Sequence, residues 1–205
     1  MIVNSQLQST IVLHDTLHGF RLGRGTGLAV MEAKVEQKLA GMVHDPLFEV
    51  FIDVQKAYDS LDIGICMDII QGYILGPNLQ RLLQRYWDRQ KVVPKARNLY
   101  GHYFSTGLGV TQGYPVSLTI FNIVVDVVVR AALLEVCRPQ EDQHGFIWAA
   151  GEHNICFYAD DGQIVDHNPI WVHTSLTEMV KMFDRVGLQK NLSKTKAMVC
   201  TPGFI

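Results

Sequence analysis

The sequence contains no CxxC pair, no HExxH or comparable ligand spacing, and no unbroken apolar run of bilayer length. Each absence closes a class of protein. Cys66, Cys137, Cys156 and Cys200 stand far apart with no histidine at zinc-finger distance, so free and mostly buried thiols are expected in place of a disulfide framework or a zinc module. The 8 histidines are scattered, and their spacing predicts no histidine metal site. The most apolar stretch, Ile120 to Leu134, is broken by Asn122, Asp126 and Arg130 at every fourth position, which argues against a membrane span. The opening MIVNSQLQSTIVLHDTLHGF lacks the charged start and continuous apolar core of a secretory signal, and also the arginines of a transit peptide; an intracellular protein, nuclear or cytoplasmic, is expected. With 19% charged residues and a net charge of −2, the chain does not suit nucleic-acid binding over its whole surface, because that requires a cationic excess to displace counterions.

What is present suits one globular domain: 205 residues, 48% of them hydrophobic, are enough for a real core. The charge is unevenly placed. Arg81, Arg85, Arg89, Lys91, Lys95 and Arg97 are set against Asp88 alone. Such a run is either a solvated helix face or a track for a phosphate backbone.

Residues 154 to 165, NICFYADDGQIV, read as a β-hairpin with two carboxylates at its tip. β-Branched and aromatic residues favour the strands, and Asp-Asp-Gly supplies short polar side chains with a glycine for the reversal. By itself that step is turn chemistry. A second acidic strand end, Asp53 in LFEVFIDVQKAYDSLD (residues 47 to 62), makes it more. The run Leu47 to Asp53 is apolar on both faces apart from Glu49, as expected of a central strand under helices. If the two strands lie side by side, Asp53 and Asp160 meet, and strand-end carboxylates can hold two divalent cations about 4 Å apart for phosphoryl transfer. Magnesium suits such an oxygen-only site, with Mn²⁺ as a second candidate.

FYADD resembles the YxDD box of reverse transcriptases, and FIDVQKAYDSLD resembles their first acidic motif. GVTQGYPVSLTIFN (residues 109 to 122) is similar to the family's QGxPxS box, and GLQKNLSKTKAMV (residues 187 to 199) to its GLxxNxxKT motif. All four occur in the family's order, and LHGFRLGRGT at residues 17 to 26 extends the resemblance over nearly the whole chain, in the style of non-LTR retroelement and group II intron enzymes. The resemblance implies an RNA-directed DNA polymerase palm acting on an RNA template, a DNA primer and dNTPs. Asp53 and Asp160 would bind two Mg²⁺ with Asp161 assisting, and Gln112, Gly113 and Pro115 would border nucleotide and template. It also implies that Tyr58 screens the incoming sugar and that Lys194 protonates the pyrophosphate leaving group; from the residues alone these are a packing tyrosine and a surface lysine. Arg21 and Arg24 lie in a glycine-rich loop that the resemblance sets near the template, although a plain connection into a helix fits them equally well. Arg85, Arg89 and Lys91 would follow the nucleic-acid backbone. Leu118-Thr119 stands where the box usually continues Ser-Pro, and Tyr114 where a small or acidic residue is usual.

Along the chain, residues 1 to 17 read as a frayed strand without Lys or Arg. A helix follows from Thr26, its cap, to Met42, with Gly41 near its end. Asp59 and Asp62 are read as caps of a helix reaching Gly72, and Gly76-Pro77 starts another that runs to Asp88. Residues 96 to 104 suit a strand or hairpin, and Pro115 opens a helix whose 122, 126, 130 polar spacing outweighs the β-branched content of Ile120 to Val129. Arg138 to His144 reads as a polar loop, Phe146 to Ala150 as a strand beside the hairpin, Trp171 to Val186 as a helix covering the sheet, and Ala197 to Thr201 as the last strand. The expected fold is α+β: a palm-like split βαβ antiparallel sheet under helices, with partial fingers in residues 1–45, a palm in 46–205 and no thumb. Without the finger cations and thumb of the family, a weak or inactive polymerase is expected of these residues alone. The alternative reading is a catalytically inactive retroelement remnant that binds nucleic acid. A nucleotide cyclase on a similar palm is disfavoured by the QGxPxS and GLxxNxxKT matches.

Overall fold

Strand β1 (Leu47–Gln55) is paired along both edges. The computed structural model, which describes residues 2–73, 76–105, 108–111, 114–137, 140–141, 147–148, 154–191 and 193–201, sets the sheet around it. β7 (Asp161–Asp166) lies on one side, and the two-residue β8 (Gln189–Lys190) and β9 (Lys196–Cys200) on the other; β6 (Asn154–Tyr158) pairs beyond β7. Every ladder is antiparallel. Alternation gives β1 two unlike faces. Phe48, Val50, Ile52 and Val54 enter the main core. On the other face Leu47 and Glu49 are buried but Phe51 is 39% exposed, so the strand is central as expected while its second face is covered only near its start. Glu49 is tolerated there because its carboxylate accepts from Gln37 Nε2 and Gln163 Nε2, both at 2.8 Å, and from the Cys200 thiol. Asp53 shares this second face.

The core is organised by helix α6 (Pro115–Val136), in which Ile120, Phe121, Ile123, Val124, Val125, Val128 and Val129 are all buried. Length and mean hydropathy of 2.0 would let it cross a bilayer, yet 67% of that window is buried inside the protein. Of the polar residues that point to a helix in the sequence, Asn122 and Asp126 are buried and Arg130 is exposed, and each has partners. Asn122 Nδ2 donates to the Gly19 carbonyl at 2.6 Å. The Asp126 carboxylate, wholly buried, accepts from the His14 amide, from Tyr73 Oη at 2.8 Å and from Arg130 Nε at 2.8 Å. Thr119 Oγ1 donates to Asn4 Oδ1 at 2.6 Å. These bonds fasten the segment from Asn4 to Gly19 against the helix. The expected frayed strand is therefore corrected: Ile2–Thr10 form helix α1, which buries Leu7 against α6, and residues 11–25 are a loop. One buried apolar residue in nine carries too weak a periodic signal to be read locally.

Helix α2 (Thr26–Val43) starts one residue earlier than a Thr26 cap requires: Gly25 is the N-cap, and the left-handed residue at its end is His44, with φ 55°, not a glycine. Short α3 (Ala57–Ser60) contains Asp59, so only Asp62 caps α4 (Ile63–Gly72), accepting from the Ile65 amide. α5 (Pro77–Asp88) begins with Gly76 and Pro77 as expected. β2 (Lys95–Ala96) and β3 (Leu99–Tyr100) make the small hairpin. β5 (Ile147–Trp148) pairs with β4 (Gln140–Glu141) in a separate two-stranded sheet, not with the acidic hairpin; the rest of the expected 138–144 loop and 146–150 strand lies outside the described residues. The edge of β6 is instead bridged by the N-terminal loop, with the His18 amide donating to Phe157 O and the Phe157 amide to Thr16 O, both at 2.8 Å. α7 (Pro169–Arg185), capped by Asn168, buries Val172, Met179, Met182 and Phe183 against α6 and the sheet. The thiols are free, but Cys137 is exposed.

The acidic hairpin turns through Ala159, which carries the positive φ of 57° expected of the glycine. Gly162 lies in β7 and serves packing: a Cβ there would come 2.4 Å from Cε1 of Phe157. That ring is 1% exposed and packs edge-on against Phe183 at 6.0 Å, so it cannot swing aside without disturbing the core. Gly162→Ala is expected to destabilise the protein by about 1–3 kcal/mol, read as a lower urea midpoint; a loss under about 0.5 kcal/mol would show that the ring yields freely.

Candidate active site

The β1–β7 register sets Asp53 opposite Asp161, with Asp160 in the turn just before it. Opposed residues in an antiparallel pair share a face, so the carboxylates of Asp53 and Asp161 emerge together on the uncovered side of the sheet. Asp53 is 20% exposed, and Lys194 Nζ lies 3.4 Å from its Oδ1. Lys194 is brought there by the turn between β8 and β9: the Asn191 amide donates to the Asp53 carbonyl at 2.8 Å, and the amides of Lys194 and Thr195 close onto Asn191 O. The carboxyl of Asp161 is held above the ordinary carboxylate range, first by burial and then by the charges of Asp160 and Asp53, with Lys194 opposing. Asp53, Asp160, Asp161 and Lys194, far apart in sequence, thus form one electrostatic group.

A cleft of about 430 Å³ opens over it, lined by Phe20, Tyr58, Leu118, Tyr158, Ala159, Asp160 and Asp161. Tyr58 stands as a wall, its ring centroid 4.7 Å from that of Phe121. Its hydroxyl is buried without a partner among the described residues, and burial, with Asp160 and Tyr158 nearby, pushes its pKa up to about 12. The phenol stays neutral beside the carboxylates. Phe20, Leu118 and Tyr158 were not singled out by sequence reasoning. Leu118, three residues after Pro115, occupies the departure from the family box, which was the one available signal. Phe20 arrives by tertiary packing, with a φ of 54° and its ring 6.1 Å from that of Tyr158. Next to it Gly19 lies so close to the hairpin that a Cβ would come 2.5 Å from the Ala159 amide nitrogen.

Arg21 and Arg24 flank this contact, and their guanidinium groups are engaged within their own loop. Arg21 donates to the carbonyls of Leu13, His14 and Leu17, and Arg24 to the carbonyl and carboxylate of Asp15. Pro115 is the first residue of α6, whereas Gln112 and Gly113 lie outside the described residues. Arg85, Arg89 and Lys91 come together with Tyr86 and Tyr114 along an open groove of about 770 Å³. Tyr86 and Tyr114 are 6.3 Å apart between ring centroids, and Lys91 Nζ sits 4.0 Å from the centre of the Tyr103 ring. Tyr114 caps the helix whose next turn supplies Leu118, so groove and cleft adjoin. The cleft's donors among the described residues are carboxylate oxygens without histidine or thiol, a set suited to a hard divalent cation, and positive charge there would relieve the crowding on Asp161.

A wholly antiparallel sheet that sets a central-strand carboxylate, Asp53, opposite a hairpin whose Asp160 and Asp161 line an open cleft, under a helical layer, is the palm-like arrangement of template-directed polymerases. The chain belongs to the family described as reverse transcriptase (RNA-dependent DNA polymerase), which matches residues 1–204. It is 22% identical over 175 residues to the retrovirus-related Pol polyprotein from type-1 retrotransposable element R2 of Nasonia vitripennis, a match that covers 85% of this chain and 16% of that protein. Among solved structures, telomerase from Candida tropicalis in complex with the TWJ fragment of telomeric RNA shares the fold with a TM-score of 0.72 at 12% identity, over 98% of this chain and 33% of that one. Apo telomerase from Candida tropicalis, truncated from its C-terminal domain, gives 0.68 at 14% identity, over 100% and 40%. The chain therefore spans less than half of each of these proteins.

The raised pKa of Asp161 has a sign that can be checked. A carboxyl harder to ionise in the folded state than in the unfolded chain loses stability as pH rises from the ordinary carboxylate range through the folded value. Without divalent metal, Asp161→Asn is expected to melt about 1–2 °C higher than the parent at neutral pH, the gain being limited by solvent screening. It should vanish near about pH 3, where the carboxyl is protonated in both states. A lower melting temperature at pH 7 would instead show that the attraction of the Lys194 charge outweighs burial and repulsion.

Proposed function

We propose that the chain is the catalytic core of a retroelement RNA-directed DNA polymerase that joins dNTPs to a DNA primer on an RNA template, residues 1–45 acting as a partial fingers segment and 46–205 as the palm. The observation that carries this reading is the register of Asp53 against Asp161, beside Asp160 and within reach of Lys194. Asp53, Asp160 and Asp161 would hold two Mg²⁺, or Mn²⁺, which when bound lower the pKa of the primer 3′-hydroxyl and offset charge on the triphosphate. Family membership, in a group that uses divalent metal ions, supports the assignment. Lys194, anchored near Asp53 by the Asn191 turn, gives its proton to the departing pyrophosphate oxygen. Tyr58 and Leu118 bound the sugar: the neutral ring, braced by Phe121, crowds the position of a 2′-hydroxyl. By resemblance to the family's box, Gln112, Gly113 and Pro115 would border nucleotide and template. Arg85, Arg89 and Lys91 follow the backbone phosphates, with Tyr86 and Tyr114 as stacking surfaces. Arg21 and Arg24 brace the loop that carries Phe20.

The test is extension of an annealed RNA-template/DNA-primer pair with Mg²⁺ at low salt. Asp53→Asn and Asp160→Asn are each expected to lower kcat by about a hundredfold or more, since they remove charge stabilisation specific to the transition state. Activity in the parent that survives either change would place the site elsewhere, and binding without extension in the parent would support the nucleic-acid-binding remnant. Tyr58→Val is expected to raise ribonucleotide use by about tenfold relative to deoxyribonucleotide use, in single-nucleotide competition; unchanged discrimination would return Tyr58 to a packing role.

A further inference from the structure

Away from the carboxylate cleft, three ligand-type side chains from three separate elements converge. His18 comes from the N-terminal loop, Glu32 from α2 and Cys156 from β6, and one donor atom of each lies within 4.8 Å of the other two. His18 Nε2 is 3.0 Å from Glu32 Oε2. His18 is held to β6, one residue from Cys156, by the hydrogen bond that its amide donates to Phe157 O. Cys156 alternates with the core residues Ile155 and Phe157, so it faces the same side as its β7 partner Gln163, the side on which α2 lies. Glu32 and, one turn later, Glu36 project from α2 into a cavity of about 210 Å³ that Cys156 and Gln163 also line. No pair of these residues has motif spacing, which is why the scattered histidines predict no metal site.

We propose that His18, Glu32 and Cys156 form a site for a single Zn²⁺, distinct from the Mg²⁺ carboxylates, with water or Glu36 as the fourth ligand. The donor set of one imidazole nitrogen, one thiolate and one carboxylate is that of tetrahedral zinc, whose bond lengths of about 2.0–2.3 Å require ligand atoms about 3.3–3.8 Å apart, reached here by small shifts. Glu32 is half exposed and the cavity lies beside it, so an ion has a route in. Burial, opposed by the Glu32 carboxylate and aided by the charges of Arg24 and Arg21, holds the His18 pKa below its ordinary value. The His18 Nδ1 is buried without a partner among the described residues, a cost that apolar packing at this position would have avoided. Cys156 is a thiol in the metal-free protein, pushed to about 11 by burial and by Glu32. As the zinc–sulfur bond forms, the thiol proton passes to buffer, one per ion bound, while His18 binds through one nitrogen and keeps its proton on the other. The bound ion joins the Phe20 loop and α2 to the strand that ends at the catalytic hairpin, so zinc would stiffen the wall of the cleft without touching the reacting atoms.

The experiment uses the reduced, metal-free chain and two probes, Zn²⁺ in competition with a chromophoric chelator and Co²⁺ read by absorption. Expected are one Zn²⁺ per chain, a near-ultraviolet thiolate-to-Co²⁺ band, and a higher melting temperature with Zn²⁺. Cys156→Ser should abolish the band, and Glu32→Gln, a change at a half-exposed helix position, should weaken zinc binding by roughly tenfold or more. Asp53→Asn should leave both untouched, which separates this site from the polymerase carboxylates. The inference is overturned if saturating Co²⁺ gives no thiolate band, if the band persists in Cys156→Ser, or if Glu32→Gln binds Zn²⁺ as tightly as the parent. Circular dichroism and metal-free melting of both variants identify any that fail to fold, and for such a variant Cys156→Ala or His18→Gln decides by the same criteria.

Discussion

The two-sided pairing of β1 is the constraint on which the rest depends. A strand with neighbours on both edges cannot slip by one residue without sending Val50, Ile52 and Val54 out of the core. That penalty holds the register Asp53↔Asp161 on one side and Phe51↔Lys196 on the other. The carboxylates and Lys194 are therefore placed by core packing on the opposite face of the same strand. Their burial and mutual repulsion, which together raise the pKa of Asp161, are a cost carried by the sheet.

A second constraint comes from the polar stripe of α6. A buried carboxylate without partners would be far more costly than the bonds it makes here. Asp126 is satisfied by the His14 amide, Tyr73 and Arg130, and Asn122 by the Gly19 carbonyl. In consequence the N-terminal segment is tied down along the helix as far as Gly19, and Gly19 and Phe20 are pressed against the hairpin tip. The stripe that distinguishes this helix from a membrane span also positions one wall of the cleft. Arg21 belongs to the same arrangement, since its guanidinium gathers three carbonyls of the loop.

Electrostatically the molecule is divided. The cleft concentrates negative charge and oxygen donors, while the adjoining groove along α5 presents Arg85, Arg89 and Lys91 beside aromatic rings. A net charge near zero conceals both. This division suits a protein that brings a metal–triphosphate and a nucleic-acid backbone to neighbouring surfaces, because each surface attracts the opposite sign.

Much of the fold and the chemical centre was legible in the sequence. Asp53 and Asp160 could be read as strand-end carboxylates, the hairpin could be bounded, and α6 could be told from a strand, because alternation and the four-residue polar period are local signals that survive in one dimension. The legible part stopped where partners lie a hundred residues away. That residues 2–10 are a helix, that Ala159 and not Gly162 makes the turn, that Phe20 and Leu118 line the cleft and that Arg21 serves its own loop were all decided by packing and register. The meeting of His18, Glu32 and Cys156 is the extreme case, since each sits in an unremarkable local context and only the docking of loop, helix and strand brings them together. A sequence records which side chains can bond; the tertiary structure decides which of them do, because burial makes every unpaired polar group costly and so selects the one arrangement in which most of them are satisfied.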